Sequence, residues 1–173
     1  MSDSALWNQI RAASELRGKF KLRSGLTSTT YFDKYQFESR PELLEALATR
    51  MAELVPSQAE ILGGLELGGV PLAVAISMRT RHPTAFIRKQ AKTYGTCRLA
   101  EGAEVAGRNV CLIEDVSTTG GQILQSATDL RKIGAKVTDV ICAIWRGNPD
   151  AEETLRREGV RLHSVFQPFE GAN

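Results

Sequence analysis

Apolar positions change their spacing along this chain, and the changes mark out its elements. From about Glu60 onward, short apolar runs alternate with stretches of helical period. Glu60 to Gly64, Thr84 to Ile87, Val110 to Ile113, Lys136 to Trp145 and Val160 to Phe166 predict strands. The run Val110-Cys111-Leu112-Ile113 is too short for a helix and suits a strand buried on both faces. Between the strands, an apolar helix runs from Pro71 to about Met78. A second places Ile123, Leu124, Ala127, Leu130 and Ile133 at helical spacing, with Gly134 as its stop. A short third covers Ala151 to Arg157 and ends at Gly159. Such alternation predicts an α/β domain with a mainly parallel sheet, right-handed crossovers and flanking helices. The loops after Gly64, Ile87, Ile113 and Trp145 should then share one rim, where open α/β sheets bind ligands.

The first third is patterned differently. Ser4 to Leu16 predicts a helix presenting Leu6, Ile10, Ala13 and Leu16, with Trp7 beside them. Phe20 to Gly25 alternates like a strand and ends in a Ser-Gly turn, and threonine-rich residues lead to Tyr31-Phe32-Asp33. Ser39-Arg40-Pro41-Glu42 reads as a helix start: a serine cap, a glutamate three residues on, a proline in the first turn. That helix should reach about Val55 and bury Leu43, Leu44, Leu47, Met51 and Leu54.

Composition narrows the class without naming a function. A length of 173 residues fits a single domain spanning 1–173, with a core that needs no staples. At 42% hydrophobic and 24% charged the chain is ordinary for a soluble protein, and a net charge of +2 gives no argument for nucleic acid. No apolar run approaches membrane-spanning length and no signal peptide is visible. Cys97, Cys111 and Cys142 are odd in number and form no C-x-x-C, and the latter two lie in apolar runs; reduced buried thiols in a cytoplasmic protein are expected. His82 and His163 are isolated and give no zinc spacing.

Chemistry concentrates after Ile113. Glu114-Asp115-Val116-Ser117-Thr118-Thr119-Gly120-Gly121-Gln122 joins a strand to a helix through two acids, three hydroxyls and two glycines. The hydroxyls, the glycines and the N–H groups of the helix start make a cradle for phosphate. The acids would repel phosphate and should face sugar hydroxyls or a magnesium ion instead. Phosphate beside polyol and metal describes a phosphorylated sugar. A lone S-T-T would more simply cap a helix; E-D before it and G-G after it argue for the site. Neither G-x-x-x-x-G-K-[ST] nor a G-x-G-x-x-G after a strand is present.

Two further stretches reach the same rim. Leu65-Glu66-Leu67-Gly68-Gly69-Val70-Pro71 is a glycine-rich turn after a strand, suited to a ligand or merely to tight packing. Arg88 to Arg98 carries four cations and no acid, and reads as a long, mobile, basic loop for anions. Arg146 stands alone just past a strand end, and Arg23 lies near the hairpin turn.

The segment Val110 to Gly121 resembles the phosphoribosyl-pyrophosphate signature of the type I phosphoribosyltransferases, and the whole chain is similar to the orotate branch of that family. Phe20-Lys21-Leu22-Arg23-Ser24-Gly25 followed by Tyr31-Phe32-Asp33, the turn Gly63 to Pro71, Arg88-Lys89 with Lys92 and Gly95, and Arg146 carry the likeness. It implies the type I phosphoribosyltransferase fold with a small N-terminal hood formed largely by residues 1–35. It also implies Mg2+-dependent transfer of 5-phosphoribose from phosphoribosyl pyrophosphate to orotate, giving orotidine 5'-monophosphate and pyrophosphate.

By the same resemblance, Glu114, Asp115, Val116, Ser117, Thr118, Thr119, Gly120, Gly121 and Gln122 bind the ribose phosphate. Leu67, Gly68, Arg88, Lys89, Lys92 and Tyr94 serve the pyrophosphate side. Arg23, Tyr31, Phe32, Thr118 and Arg146 meet orotate, and Lys92 and Asp115 are the catalytic residues. Magnesium comes with the substrate, near Glu114 and Asp115. The basic loop crosses to a partner's active site, which implies a homodimer; no nucleic acid and no membrane are implied.

The chemistry fits independently, since pyrophosphate leaves with negative charge that Arg88, Lys89, Lys92 and magnesium can take up. A planar arginine suits the orotate carboxylate. Three positions depart from the pattern: Tyr94 stands where histidine is usual, Gly68 where several relatives have lysine, and Trp145 where aspartate is common. The alternatives are another acceptor base, which Arg146 speaks against, and a sensor that binds the sugar phosphate without turnover.

Overall fold

The computed structural model describes residues 1–21, 25–90 and 98–168. Its centre is a six-stranded sheet built from β3 (Ile61–Leu65), β4 (Thr84–Ile87), β5 (Ala100–Gly102), β6 (Asn109–Ser117), β7 (Lys136–Trp145) and β8 (Arg161–Phe166), in the order β5-β4-β3-β6-β7-β8. Every pairing is parallel except β4 with the edge strand β5. A separate antiparallel hairpin, β1 (Glu15–Lys21) with β2 (Thr27–Phe32), precedes it. The α/β expectation, with a mainly parallel sheet and a small N-terminal part, holds.

Two cores form because β6 and β7 are apolar on both faces. Cys111 and Ile113 of β6 pack with α1 (Asp3–Ser14), α3 (Pro41–Ala52) and α4 (Gly69–Thr80) through Ile10, Leu47, Met51 and Leu72. Val110 and Leu112 pack with α5 (Gly121–Lys132) and α6 (Pro149–Arg157) through Ile123, Ala127, Leu130 and Leu155. Among the described residues, no helix is long and apolar enough to cross a membrane.

Several boundaries differ from the sequence pattern, each for a local reason. Leu16 lies in β1, because the first helix ends at Ser14 and the chain turns directly into the hairpin. Ser39 is not the cap of α3. Its hydroxyl donates to the Gln36 carbonyl (3.2 Å) and closes a one-turn helix, α2 (Tyr35–Glu38), that the pattern did not reveal. Arg40 takes the cap position without a side-chain bond, and Pro41 opens α3, which stops at Ala52 rather than Val55. Leu44 and Leu54 are only half-buried. Just beyond the basic stretch lies a short edge strand, β5, that the pattern did not reveal. Ile133 is the C-cap of α5 and 45% exposed, not part of its buried face.

The most consequential difference is β6 itself. It runs through both acids to Ser117, because β7 continues alongside: Glu114 pairs with Cys142, Val116 with Ile144 and Ser117 with Trp145. Ladder hydrogen bonds do not depend on the side chain, so a well-paired neighbour carries the strand past the end of its apolar run.

At the opposite end of β7, Asp139 is 3% exposed. It accepts from Gln58, Thr138 and Arg161 and lies 2.9 Å from His163 Nε2. Burial raises its pKa, but the bonds from His163, Arg161 and Thr138 prevail and hold it below the usual aspartate value. Its stabilisation is therefore complete above the ordinary aspartate pKa and is lost as pH falls through the lowered folded value. Asp139→Ala is expected to cost about 2 kcal/mol, since the freed Arg161 is well solvated. A chemical-denaturation series should show that loss at pH 7 and a smaller one near pH 2.

Candidate active site

The turn from β6 into α5 forms a hydrogen-bonded nest. Gly120 N–H donates to Ser117 Oγ and Gly121 N–H to Thr119 Oγ1, both at 3.3 Å. Gly120 has φ +70°, the left-handed region where glycine carries no steric penalty, and Leu155 packs within 3.1 Å of where a Cβ would stand. A cavity of about 430 Å³ opens here, lined by Glu114, Val116, Ser117 to Thr119, Gly121, Gln122 and Gln125. Its size suits a small ligand, and hydroxyls with the positive end of α5 suit a phosphate. Within Glu114 to Gln122, Asp115 and Gly120 are the two that do not line it.

Glu114 keeps its carboxyl against the chain: its Oε1 accepts from Asp115 N–H at 3.0 Å. Burial, first, and then Asp115 raise its pKa well above the usual glutamate value.

Asp115 is fully buried. Its Oδ1 accepts from Val116 N–H (2.6 Å) and its Oδ2 lies 2.5 Å from Lys34 Nζ. Burial pushes its pKa up, but bonds from Glu114 and Glu38 and the charge of Lys34 outweigh it, and Asp115 stays ionised. Lys34 shows the reverse balance: burial lowers its pKa, and attraction to Asp115 more than restores it. The Glu38 carboxyl beside them is raised to about 9, mainly by burial and then by Asp115, so it is protonated at neutral pH. Gly68 closes the group from above. A Cβ there would overlap the Asp115 carboxylate and come within 2.8 Å of Glu38 Oε1.

The hairpin and the end of β7 meet on the other side. Arg146 carries its guanidinium 6.0 Å from the Phe32 ring centre, and burial lowers its pKa. Its backbone N–H donates to the Ser117 carbonyl at 2.8 Å. Gly147 packs so closely that a Cβ would lie 2.5 Å from the Thr118 carbonyl oxygen. Tyr31 is 46% exposed and stacks on Phe20, ring centres 5.5 Å apart. These contacts put an aromatic wall, a guanidinium and the hydroxyl-and-glycine nest side by side.

The remaining expected residues divide. Glu66 and Leu67 are joined by a cis peptide, and Leu67 is 64% exposed. Lys89 N–H donates to Glu66 Oε1 at 2.6 Å, and Arg88 N–H donates to the Leu99 carbonyl at 2.9 Å, so the basic segment leaves the sheet beside this turn. Arg23, Lys92 and Tyr94 lie outside the described residues. Lys34 and Glu38 were not foreseen. The sequence carried no local signal for either, because Lys34 meets Asp115 from far away along the chain.

No family model matches the sequence. The chain is 49% identical over 168 residues to the orotate phosphoribosyltransferase of Nocardioides sp., covering 97% of this chain and 93% of that one. It is 38% identical to the orotate phosphoribosyltransferase of Methanocella arvoryzae, covering 97% and 96%. Among solved structures, Mycobacterium tuberculosis orotate phosphoribosyltransferase in complex with Fe(III) dicitrate superimposes with a TM-score of 0.80, at 31% identity and 95% of each chain. The same enzyme in complex with 5-phospho-alpha-D-ribosyl 1-diphosphate gives 0.77 at 29% identity, over 95% and 94%.

Proposed function

The chain belongs to the orotate phosphoribosyltransferase family, and from that premise we propose how its residues carry out the reaction. The enzyme transfers 5-phosphoribose from phosphoribosyl pyrophosphate to N1 of orotate, releasing pyrophosphate, in pyrimidine biosynthesis. The observation that supports the site assignment is one arrangement: a hydroxyl-and-glycine cavity at the start of α5 lies one strand from an arginine over an aromatic ring.

In this reading the 5-phosphate occupies the Ser117–Gly121 nest, where backbone N–H groups and hydroxyls donate to it. Glu114 borders the same cavity and takes the ribose hydroxyls. Phe32 and Tyr31 flank the pyrimidine ring, and Arg146 pairs with its carboxylate, for which a planar fork is well shaped. Arg88, Lys89 and Lys92 are the cations for the departing diphosphate, which needs charge neutralised as the C–O bond breaks. Leu67 and Gly68 approach the diphosphate through backbone. Arg23 joins the orotate side, and Tyr94 the diphosphate side.

Magnesium comes with the diphosphate in this reading. When bound it would neutralise the leaving group, with Glu114 the acidic residue nearest to hand at the cavity. A homodimer with shared sites, residues 1–173 forming one domain in each protomer, and a cytoplasmic setting complete the reading. The last is supported by the free, buried Cys111 and Cys142.

With phosphoribosyl pyrophosphate and magnesium, loss of orotate absorbance is expected, with far slower turnover of uracil or hypoxanthine. Turnover of uracil without orotate would remove Arg146 from its assigned role.

A further inference from the structure

Asp115 is placed to be a substrate contact by its position in the chain, yet it is wholly buried while Glu114 borders the cavity. A buried carboxylate requires a partner, because an uncompensated charge in low dielectric is among the costliest defects a fold can hold. Gly68 cannot supply one: its backbone lies against that carboxylate and leaves no volume for a side chain. Neither can its neighbour Gly69, whose Cβ would overlap the Ile113 carbonyl oxygen. The cation comes instead from the junction between β2 and α2.

We propose that Lys34 is a positioning residue of the sugar-diphosphate site, its ammonium holding the Asp115 carboxylate under the Gly68 turn. Three observations converge on it. Lys34 Nζ is 2.5 Å from Asp115 Oδ2, and the lysine side chain is 31% exposed, so it is the outer member of the pair. The Tyr35 ring lies 5.4 Å from the same ammonium and restricts it. The backbone that carries Lys34 is itself anchored: Asp33 N–H donates to the Ser14 carbonyl at 2.9 Å, and Asp33 Oδ1 accepts from Tyr35 N–H at 3.2 Å. Two residues earlier in the chain, Phe32 faces Arg146. One short segment thus ties the base side of the site to the floor beneath the ribose.

The inference rests on the assignment of the cavity to phosphoribosyl pyrophosphate, and the test separates the two. Binding of phosphoribosyl pyrophosphate with magnesium is measured by titration calorimetry for the wild type, Lys34→Met and Lys34→Arg, alongside the KM for orotate. Lys34→Met should weaken binding by about 10- to 100-fold, the value of one charge-assisted contact, and leave the orotate KM within about twofold. Lys34→Arg should recover most of the affinity. Should Lys34→Met fold poorly, the neutral pair Lys34→Met with Asp115→Asn is expected to regain thermal stability without regaining affinity.

Unchanged affinity in a folded Lys34→Met protein would show that the pair serves only the fold, and would overturn the proposal. Tighter binding would make Lys34 a plug over Asp115, and would overturn it equally. A wild type that turns over no base and binds no phosphoribosyl pyrophosphate would overturn the site assignment along with it.

Discussion

Alanine in place of Gly68 is expected to abolish measurable turnover. Position 68 has φ −69° and ψ −28°, ordinary helical space, so a side chain there meets no backbone strain. Volume alone decides. The added Cβ would overlap the Asp115 carboxylate, and Glu38 closes the other side at 2.8 Å. Neither neighbour can yield. Asp115 sits on β6 between β3 and β7, fully buried and paired to Lys34. Glu38 is held in a one-turn helix against the first core. The turn must therefore lift from β6, and α4 begins at Gly69, so its first turn lifts too.

Overpacking of this kind costs about 3 kcal/mol, and here it also displaces the backbone assigned to the diphosphate. Denaturant unfolding should report the stability loss, and calorimetry an affinity for phosphoribosyl pyrophosphate reduced by more than about 100-fold. Affinity within threefold of the wild type would mean the turn packs differently on Asp115 when the substrate is bound.

The same corner explains what could and could not be read from the chain. The strands were legible because β3, β6 and β7 are buried on both faces and spell uninterrupted apolar runs. The cradle was legible because its glycines and hydroxyls are consecutive: Gly120 needs a left-handed backbone, and the nest closes within four residues. Contacts between distant segments leave no such trace. Lys34, at the junction of β2 and α2, meets Asp115 on β6 only in the folded chain, so neither residue's neighbours announce the other. Glu38 carries no local sign of burial, and Ser39, read as the cap of the next helix, closes the one-turn helix that buries it. The end of β6 was missed for a related reason: two acids look like the start of a loop until β7 is seen running beside them.

Arg146→Ala should separate the two halves of the site, with kcat/KM for orotate falling by about 10²- to 10³-fold while affinity for phosphoribosyl pyrophosphate stays within about twofold. The side chain and the backbone of this residue have different duties. Its guanidinium faces Phe32 on the base side and is half-buried, where a carboxylate partner is worth more than in water. Its N–H, by contrast, fixes the Ser117–Gly121 nest through the Ser117 carbonyl at 2.8 Å, and alanine retains that bond. Truncation therefore removes the group assigned to the orotate carboxylate and leaves the nest intact. Arg146→Lys keeps the charge and loses the fork, so it should recover only part of the rate. Uracil provides the control: it has no carboxylate, and the preference for orotate over uracil should narrow in Arg146→Ala chiefly through loss on the orotate side. Equal losses for both substrates, or a parallel fall in phosphoribosyl-pyrophosphate binding, would mean that Arg146 supports the cradle and does not read the base.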